Sequence, residues 1–352
     1  MKLLVSALDH SANIHLGSLR KALSDDVRFI GLFDRRYGKP IADLQGMSVM
    51  GFVDAVKKIG YFMRLNDEMV ELAAEADKIL LMDSSAFNMP LAKKIKRRYP
   101  EKEIIYYILP QAWAWKRRRI PVLEKTVDRL ASILPFERDY YSSQAPIRYV
   151  GHPLLDIIPR YKDELSDRME KIVFLPGSRK GEIRRLMPVF EALARKFPRV
   201  QKSVVVPRHF SQVEINELYG KLTGFKVVQE AHKAIYEADF AFVCSGTATL
   251  ETALIGTPFV LSYIAKPLDY FIARKLVKLS HIGLSNILFE AAYGRTMHEE
   301  AVQDAVTPEG LYRAFERTDR ARFLEDSKRL RAYLSHGSSR TVAAMIEEKD
   351  EN

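Results

Sequence analysis

Leu175-Pro176-Gly177-Ser178-Arg179-Lys180-Gly181-Glu182-Ile183 lies between a short apolar run, Lys171 to Leu175, and an amphipathic run, Arg184 to Phe197. The first run reads as a buried strand and the second as a helix, so Gly177 and Ser178 fall in a strand-to-helix turn. Such a turn presents backbone N–H groups and the positive end of a helix dipole. An anion can bind there, and the Arg179 guanidinium can grip a phosphate through two parallel bonds. The plainer alternative is a βα turn with a surface arginine. Phe240 to Cys244 is a second apolar strand, followed by Ser245-Gly246-Thr247-Ala248-Thr249-Leu250-Glu251 and another helix. Its hydroxyl residues suit either helix capping or contact with ligand oxygens. Two such turns in one half of the chain could face a single diphosphate.

The first half of the chain places carboxylates at comparable points. Leu81-Met82-Asp83-Ser84-Ser85-Ala86-Phe87-Asn88 ends another apolar run. A carboxylate at the carboxyl end of a strand is placed for chemistry, and equally for capping the next helix. Asp9-His10-Ser11-Ala12-Asn13 follows the first apolar run and reads as a βα loop with a cap at Ser11 or Asn13. Leu109 to Arg119 holds Gln111, both tryptophans (Trp113 and Trp115) and four consecutive basic residues, Lys116 to Arg119. Trp beside Arg suits a headgroup interface, a sugar phosphate or stacked bases; a buried Trp pair with a solvated charge run is the alternative. Between Met50 and Leu65, Phe52, Val53, Val56, Ile59 and Met63 recur at helical spacing beside Lys57, Lys58 and Arg64. That stripe faces a core, or it enters a leaflet or receives acyl chains.

These residues need a scaffold that gathers strand ends. Apolar runs at Leu3–Leu8, Arg28–Phe33, Lys78–Met82 and Ile104–Ile108 alternate with helical patterns at Leu16–Ala22 and Met89–Tyr99. A second alternation runs through Lys171–Leu175, Lys202–Val206, Lys226–Val228, Phe240–Cys244 and Pro258–Tyr263. The pattern predicts α/β domains with parallel sheets between helices, and ligands at the carboxyl ends of the strands. The domain boundary is expected after Gly151-His152-Pro153, and beyond Thr307-Pro308 the pattern is wholly helical.

The 352 residues, 47% hydrophobic, suffice for two such domains with separate cores. A net charge of +10 favours an anionic partner: nucleic acid, anionic lipid or a phosphorylated substrate. Cys244 is the single cysteine, so no intramolecular disulfide can form, which suits a reducing cytoplasm. No run reaches the roughly 18 uncharged apolar residues of a spanning helix, so a soluble or peripheral cytoplasmic protein is expected. The eight histidines show no ligand spacing such as HExxH, and no metal site is expected.

Leu175–Ile183, Ser245–Glu251 and Tyr263-Ile264-Ala265-Lys266-Pro267 together resemble the lipid A disaccharide synthases, membrane-associated glycosyltransferases of the GT-B fold. The resemblance runs from Met1 to the helices near Leu334. It implies two Rossmann-like domains with a cleft between them: 1–155 for the acceptor, joined by C-terminal helices of 319–352, and 170–318 for the nucleotide sugar. It places the donor diphosphate between Gly177–Arg179 and Ser245–Thr249, with Glu182, Glu251, Tyr263, Lys266, Asn286 and Gln303 around the nucleotide sugar. Asp83 matches the family's proposed catalytic base, and Arg179 would steady the departing UDP. Asp9, His10, Ser11, Asn13, Asn88, Gln111, Trp113, Trp115 and Arg117 fall to the acceptor side, and Phe52, Val53 and Val56 to a membrane-facing segment. The chain departs from the family pattern in two places. Its 9–13 loop lacks the usual glycine and has Asp9 and Asn13 at acidic positions, and Ala86 replaces a second acidic residue.

The implied reaction transfers 2,3-diacylglucosamine from UDP-2,3-diacylglucosamine to 2,3-diacylglucosamine 1-phosphate with inversion. Its products are a β-1,6-linked disaccharide 1-phosphate and UDP, formed without cofactor or metal. The implied surroundings are anionic lipid on the cytoplasmic face of the inner membrane, with no nucleic acid and with oligomeric state open. Alternatives are a UDP-sugar 2-epimerase, another lipid-acceptor transferase, or a basic nucleic-acid-binding protein. The 50–65 stripe argues against the epimerase, and the lack of a nucleic-acid-binding motif against the last.

Overall fold

A strand that is apolar on both faces can sit only inside a covered parallel sheet. The computed structural model describes residues 1–42, 55–265 and 281–348 and shows two such sheets. The chain divides into two compact units, Met1–Ile157 with the stretch from Leu334 onward, and Ile158–Tyr333.

In the first unit the strands are Lys2–Ser6 (β1), Arg28–Leu32 (β2), Lys78–Met82 (β3), Glu103–Tyr107 (β4), Arg129–Ser132 (β5) and Ile147–Tyr149 (β6). Among the described residues they pair in parallel in the order β2-β1-β3-β4-β5-β6. Leu4, Ile79, Leu81, Ile104 and Tyr106 pack on one face with Leu65 and Met69 of the helix Ala55–Leu72 and Leu91 and Ile95 of the helix Ser85–Arg98. Leu3, Val5, Leu80, Ile105 and Tyr107 pack on the other with Leu16 and Leu19 of the helix His10–Ala22 and Val342 and Ile346 of the helix Ser338–Glu347. Two faces of one sheet thus carry two apolar layers.

The helix Ser338–Glu347 is tied down at its start. Asp156 accepts hydrogen bonds from the backbone N–H groups of Gly337 (3.0 Å) and Ser339 (2.7 Å), groups a helix leaves without internal partners. This helix falls in the first unit. The helix Arg320–Leu334 instead packs in the second unit, because Ser327 donates to Ala253 O and Arg331 donates to Leu254 O, capping the end of the helix Thr247–Ile255.

The second unit has Lys171–Leu175 (β7), Gln201–Val205 (β8), Phe225–Val228 (β9), Phe240–Cys244 (β10), Phe259–Tyr263 (β11) and Glu299–Val302 (β12). Their order is β12-β11-β10-β7-β8-β9, all parallel. Phe174 stacks on Phe242 at 5.3 Å between β7 and β10, and Ile183, Leu186 and Phe190 of the helix Lys180–Ala194 close over them. Strands β5, β6 and β12 carry no apolar run in the sequence. They are three or four residues long, and β6 and β12 sit at sheet edges.

One acid of the first unit is folded inside. Glu137, just past β5, is 1% exposed and accepts from the Ser132 hydroxyl at 2.6 Å. Burial pushes its carboxyl up to about 8, with the Ser132 bond opposing. The folded chain therefore holds a proton that the unfolded chain releases above its ordinary value of 4.5. Stability from this group is full below that value and is lost as pH rises toward 8. His152 and His298, both held down to about 3 by burial, act in the opposite sense, losing stability as pH falls below 6.5. Glu137→Gln isolates the acid's part. Denaturation midpoints at pH 5 and pH 8 should show the variant gaining on the wild type at the higher pH. An equal difference at both values would mean that Glu137 ionises alike in both states.

Candidate functional site

In the first sheet β1 is flanked by β2 on one side and β3 on the other, so the chain order reverses there. Open parallel sheets leave a crevice at such a reversal, outside the carboxyl ends of the strands. Asp9 follows β1 and Asp83 follows β3 directly. Asp83 and Ser84 both have left-handed backbones, with φ of +49° and +36°. For residues other than glycine that costs about 1–3 kcal/mol each, so the surroundings must impose it. They do so through the Asp83 carbonyl, which accepts from the Tyr106 hydroxyl at 2.5 Å and from Asn88 Nδ2 at 3.0 Å. Ser84 Oγ donates to the Asp9 carboxylate. Asp83 is half-buried, and its carboxyl is held above the usual range by burial and then by the Asp9 charge, with a bond from the Ser84 N–H opposing.

A groove of about 890 Å³ runs from these two acids along the helix Ala55–Leu72. Asp9, Asp83, Ser84 and Ser85 make its polar end, and Ile59, Phe62, Met63 and Pro90 its apolar wall. Ile59 and Met63 are 61% and 58% exposed, whereas Leu65 and Met69 carry the core contact. The amphipathic stripe therefore splits into a core face and an open apolar face. Phe52 and Val53 lie outside the described residues, as do the side chains of Val56 and Trp115.

Other acceptor-side candidates divide by burial. His10, Ser11, Gln111 and Arg117 are exposed, and Arg117 lies over the Tyr140 ring at 5.0 Å. Trp113 is 5% exposed and packs edge-on against Phe136 at 4.9 Å, so it supports the loop from within. Asn13 is buried with its amide in use: it donates to Ala7 O and Asp9 O and accepts from Asp34 N. Asn88 is likewise enclosed, accepting from Ser6 Oγ at 2.6 Å and donating to Met82 O and Asp83 O. Both hold the backbone beneath the acids, with each amide bonded within the unit. The helix His10–Ala22 is entered from Asp9 without a side-chain cap, so neither Ser11 nor Asn13 caps it.

The second sheet reverses between β7 and β10, and the two hydroxyl-rich turns sit at those adjacent strand ends. Gly177 has φ of +103°, and a Cβ there would fall 2.6 Å from Glu182 Oε2 and 3.1 Å from Cys244 Sγ. Glycine adopts this backbone without crowding Glu182 or Cys244. Burial pushes the Cys244 thiol up to about 12, so it fills space rather than reacts. Ser178 is exposed, and Arg179, 84% exposed, pairs with Glu182 at 3.3 Å. The helices Lys180–Ala194 and Thr247–Ile255 start at these turns with no side-chain cap bond, leaving their N-terminal N–H groups directed at the crevice.

Among the remaining donor-side candidates, Ser245 and Ala248 are half-buried, and Gly246 and Thr247 are exposed on the second turn. Thr249 is enclosed and its hydroxyl bonds to Gly246 O at 2.8 Å, so it shapes the turn. Glu251 lies 3.7 Å from His232, a neighbour with no motif to announce it. Tyr263 is half-buried, its hydroxyl raised by burial and then by the Glu182 charge. Gln303, at φ +53°, accepts from Ala265 N at 2.8 Å and so fixes the chain just before residue 266. Lys266 lies outside the described residues. Asn286 is fully enclosed; it donates to His298 O and Glu300 Oε1 and accepts from the N–H groups of Met297 and His298. Through these bonds it ties the helix Leu284–Tyr293 to the chain entering β12.

A family profile described as lipid-A-disaccharide synthetase matches residues 3–350. A lipid-A-disaccharide synthase of Helicobacter pylori is 48% identical over 97% of this chain and 96% of its own. One of Campylobacter jejuni is 41% identical over 98% of this chain and 99% of its own. Among solved structures, a putative UDP-N-acetylglucosamine 2-epimerase from Listeria monocytogenes superposes with a TM-score of 0.59 at 12% identity, covering 99% of this chain and 97% of that one. MurG of Acinetobacter baumannii superposes with a TM-score of 0.58 at 13% identity, covering 98% and 99%. At such identities these two likenesses speak for the fold alone, which is GT-B.

Proposed function

The chain belongs to the lipid-A-disaccharide synthetase family, and from that premise we propose that it joins two diacylated glucosamines by glycosyl transfer. The donor is UDP-2,3-diacylglucosamine, the acceptor 2,3-diacylglucosamine 1-phosphate, and the products a β-1,6-linked disaccharide 1-phosphate and UDP. The observation that carries this reading is the half-buried Asp83 at the head of a groove whose far wall is apolar. A sugar with acyl chains matches a carboxylate beside an apolar wall; an epimerase has no use for the wall.

Asp83 accepts the proton of the acceptor's 6-hydroxyl as that oxygen forms its bond to the anomeric carbon. The bond from that carbon to the UDP oxygen breaks, its electron pair leaves with UDP, and the configuration inverts. Arg179 and the two uncapped helix starts receive the charge gathering on UDP. A carboxyl held above its usual range is a stronger base when ionised, which suits abstraction of a hydroxyl proton. The exposed Ile59, Tyr61 and Met63 give an apolar patch beside the groove, suited to a peripheral position on an anionic leaflet at the cytoplasmic face of the inner membrane. Among the described residues no helix is long and apolar enough to cross a membrane.

UDP release from UDP-2,3-diacylglucosamine, with and without the acceptor, tests the reading; release that does not depend on the acceptor rejects it. Arg179→Ala should lower turnover by about 100-fold or more, as loss of a donor to developing charge does. Asp83→Asn should abolish most turnover, by roughly 10²–10⁴, while UDP-sugar binding persists. Equal loss of binding would make Asp83 structural. Asp9→Asn keeps an oxygen for the Ser84 hydroxyl but removes the neighbouring charge. The acid limb of its kcat/KM profile should move to lower pH than in the wild type, and an unmoved limb would separate Asp9 from the basicity of Asp83.

A further inference from the structure

The helix Ala55–Leu72 presents Ile59, Met63 and Asn66 to the groove at a spacing of four and then three residues, so the three share one face. Asn66 is 5% exposed. Its Nδ2 donates to Phe87 O at 3.2 Å, in the first turn of the helix that follows Asp83. That bond fixes which end of the amide is oxygen, and Oδ1 is buried without a hydrogen-bond partner. An enclosed carbonyl oxygen without a donor costs about 1–3 kcal/mol, which a donor on a bound ligand can recover.

The position of this side chain at the groove decides which donor. Asn66 stands where the apolar wall of Ile59 and Met63 meets the turn that carries Asp83 and Phe87. In a 2-acylamino sugar the amide N–H lies at the same junction, between ring and chain. Resting on the acceptor reading above, we propose that Asn66 Oδ1 accepts the amide N–H of the acceptor's 2-acylamino group, so that the groove selects an amide-linked chain and directs it along Ile59 and Met63. An ester in place of the amide would set a second acceptor oxygen against Oδ1, leaving both unpaired. Sites built to bond a substrate N–H reject analogues that lack it far more strongly than apolar pockets reject a missing methylene.

The test compares three acceptors carrying the same chain lengths: the 2-acylamino sugar phosphate, its 2-O-acyl ester analogue, and a 2-acylamino sugar whose chains lack any hydroxyl. The wild type is expected to prefer amide over ester by about 10- to 100-fold in kcat/KM. Asn66→Ala should reduce that ratio to near one. A merely structural Asn66, acting only through Phe87, would slow both acceptors equally and leave the ratio intact, which would overturn the assignment. Should Asn66→Ala fail to fold, Asn66→Leu fills the same volume without either polar atom and reads the same ratio. The wild type alone also decides: equal rates with amide and ester overturn the proposal, and so does a preference that follows the chain hydroxyl instead of the amide. Absence of acceptor-dependent UDP release from the wild type with every acceptor would reject the functional reading itself.

Discussion

The carbonyl oxygen of Asp83 accepts hydrogen bonds from the Tyr106 hydroxyl and the Asn88 amide, and the geometry of the first unit's chemistry follows from that pair. Tyr106 is fully buried in β4, where its hydroxyl must find a partner or lose the free energy of its hydration. Asn88 also bonds Ser6 at the end of β1 and Met82 at the end of β3. Three neighbouring strands are thereby linked at their carboxyl ends, and the chain leaving β3 is held left-handed through Asp83 and Ser84. A relaxed turn would swing the carboxylate away from Asp9 and into solvent. Those bonds hold the carboxyl where burial, and then the Asp9 charge, raise it above its usual range.

The second unit meets the same problem with a different device. On the proposed reading two helix starts face one anion, and glycine at 177 leaves out the side chain that would crowd Glu182 and Cys244 beside them. Among the described residues, neither of these two turns holds a non-glycine residue at positive φ as the Asp83 turn does. Among the described residues, the exposed Arg179 side chain is held by its pair with Glu182, and a pair with one partner so exposed contributes about 0–1 kcal/mol. Releasing the guanidinium to a diphosphate therefore costs little. On the proposed roles, rigid placement suits a base that must meet one proton, and a loosely held cation suits a leaving group whose charge spreads over several oxygens.

Much of this was open to reading in the residues. Apolar runs such as Lys78–Met82 and Phe240–Cys244 announce central strands because such strands are buried on both faces. The turn at Gly177 and the acid at Asp83 were visible because strand ends with small residues are rare in composition and specific in place. Edge strands β6 and β12 were not, since an edge needs no apolar pattern. The assignment of Arg320–Leu334 to the second unit was hidden too: it depends on Ser327 and Arg331 reaching carbonyls more than seventy positions earlier in the chain. The burial of Glu137 leaves no mark in a sequence, because an acid in the stretch Leu-Pro-Phe-Glu looks like any loop acid.

Asparagine shows where pattern reading runs out. Asn13, Asn88 and Asn286 stand beside site motifs, and each turns out to be enclosed with both ends of its amide bonded within its own unit. A side-chain amide carries the same donor and acceptor as a peptide group, so it can replace a neighbouring strand where a parallel sheet ends and backbone groups would lack partners. That need is greatest at the carboxyl ends of strands, which is also where ligands bind, so structural and functional asparagines share the same neighbourhoods. What separates them is whether an atom is left over. Asn66 lies in an apolar helix face with no motif around it, yet it alone of these four keeps a buried oxygen without a partner. On the proposed reading, in which the groove takes both a sugar and its chain, that unmet acceptor marks the place where the two chemistries would join.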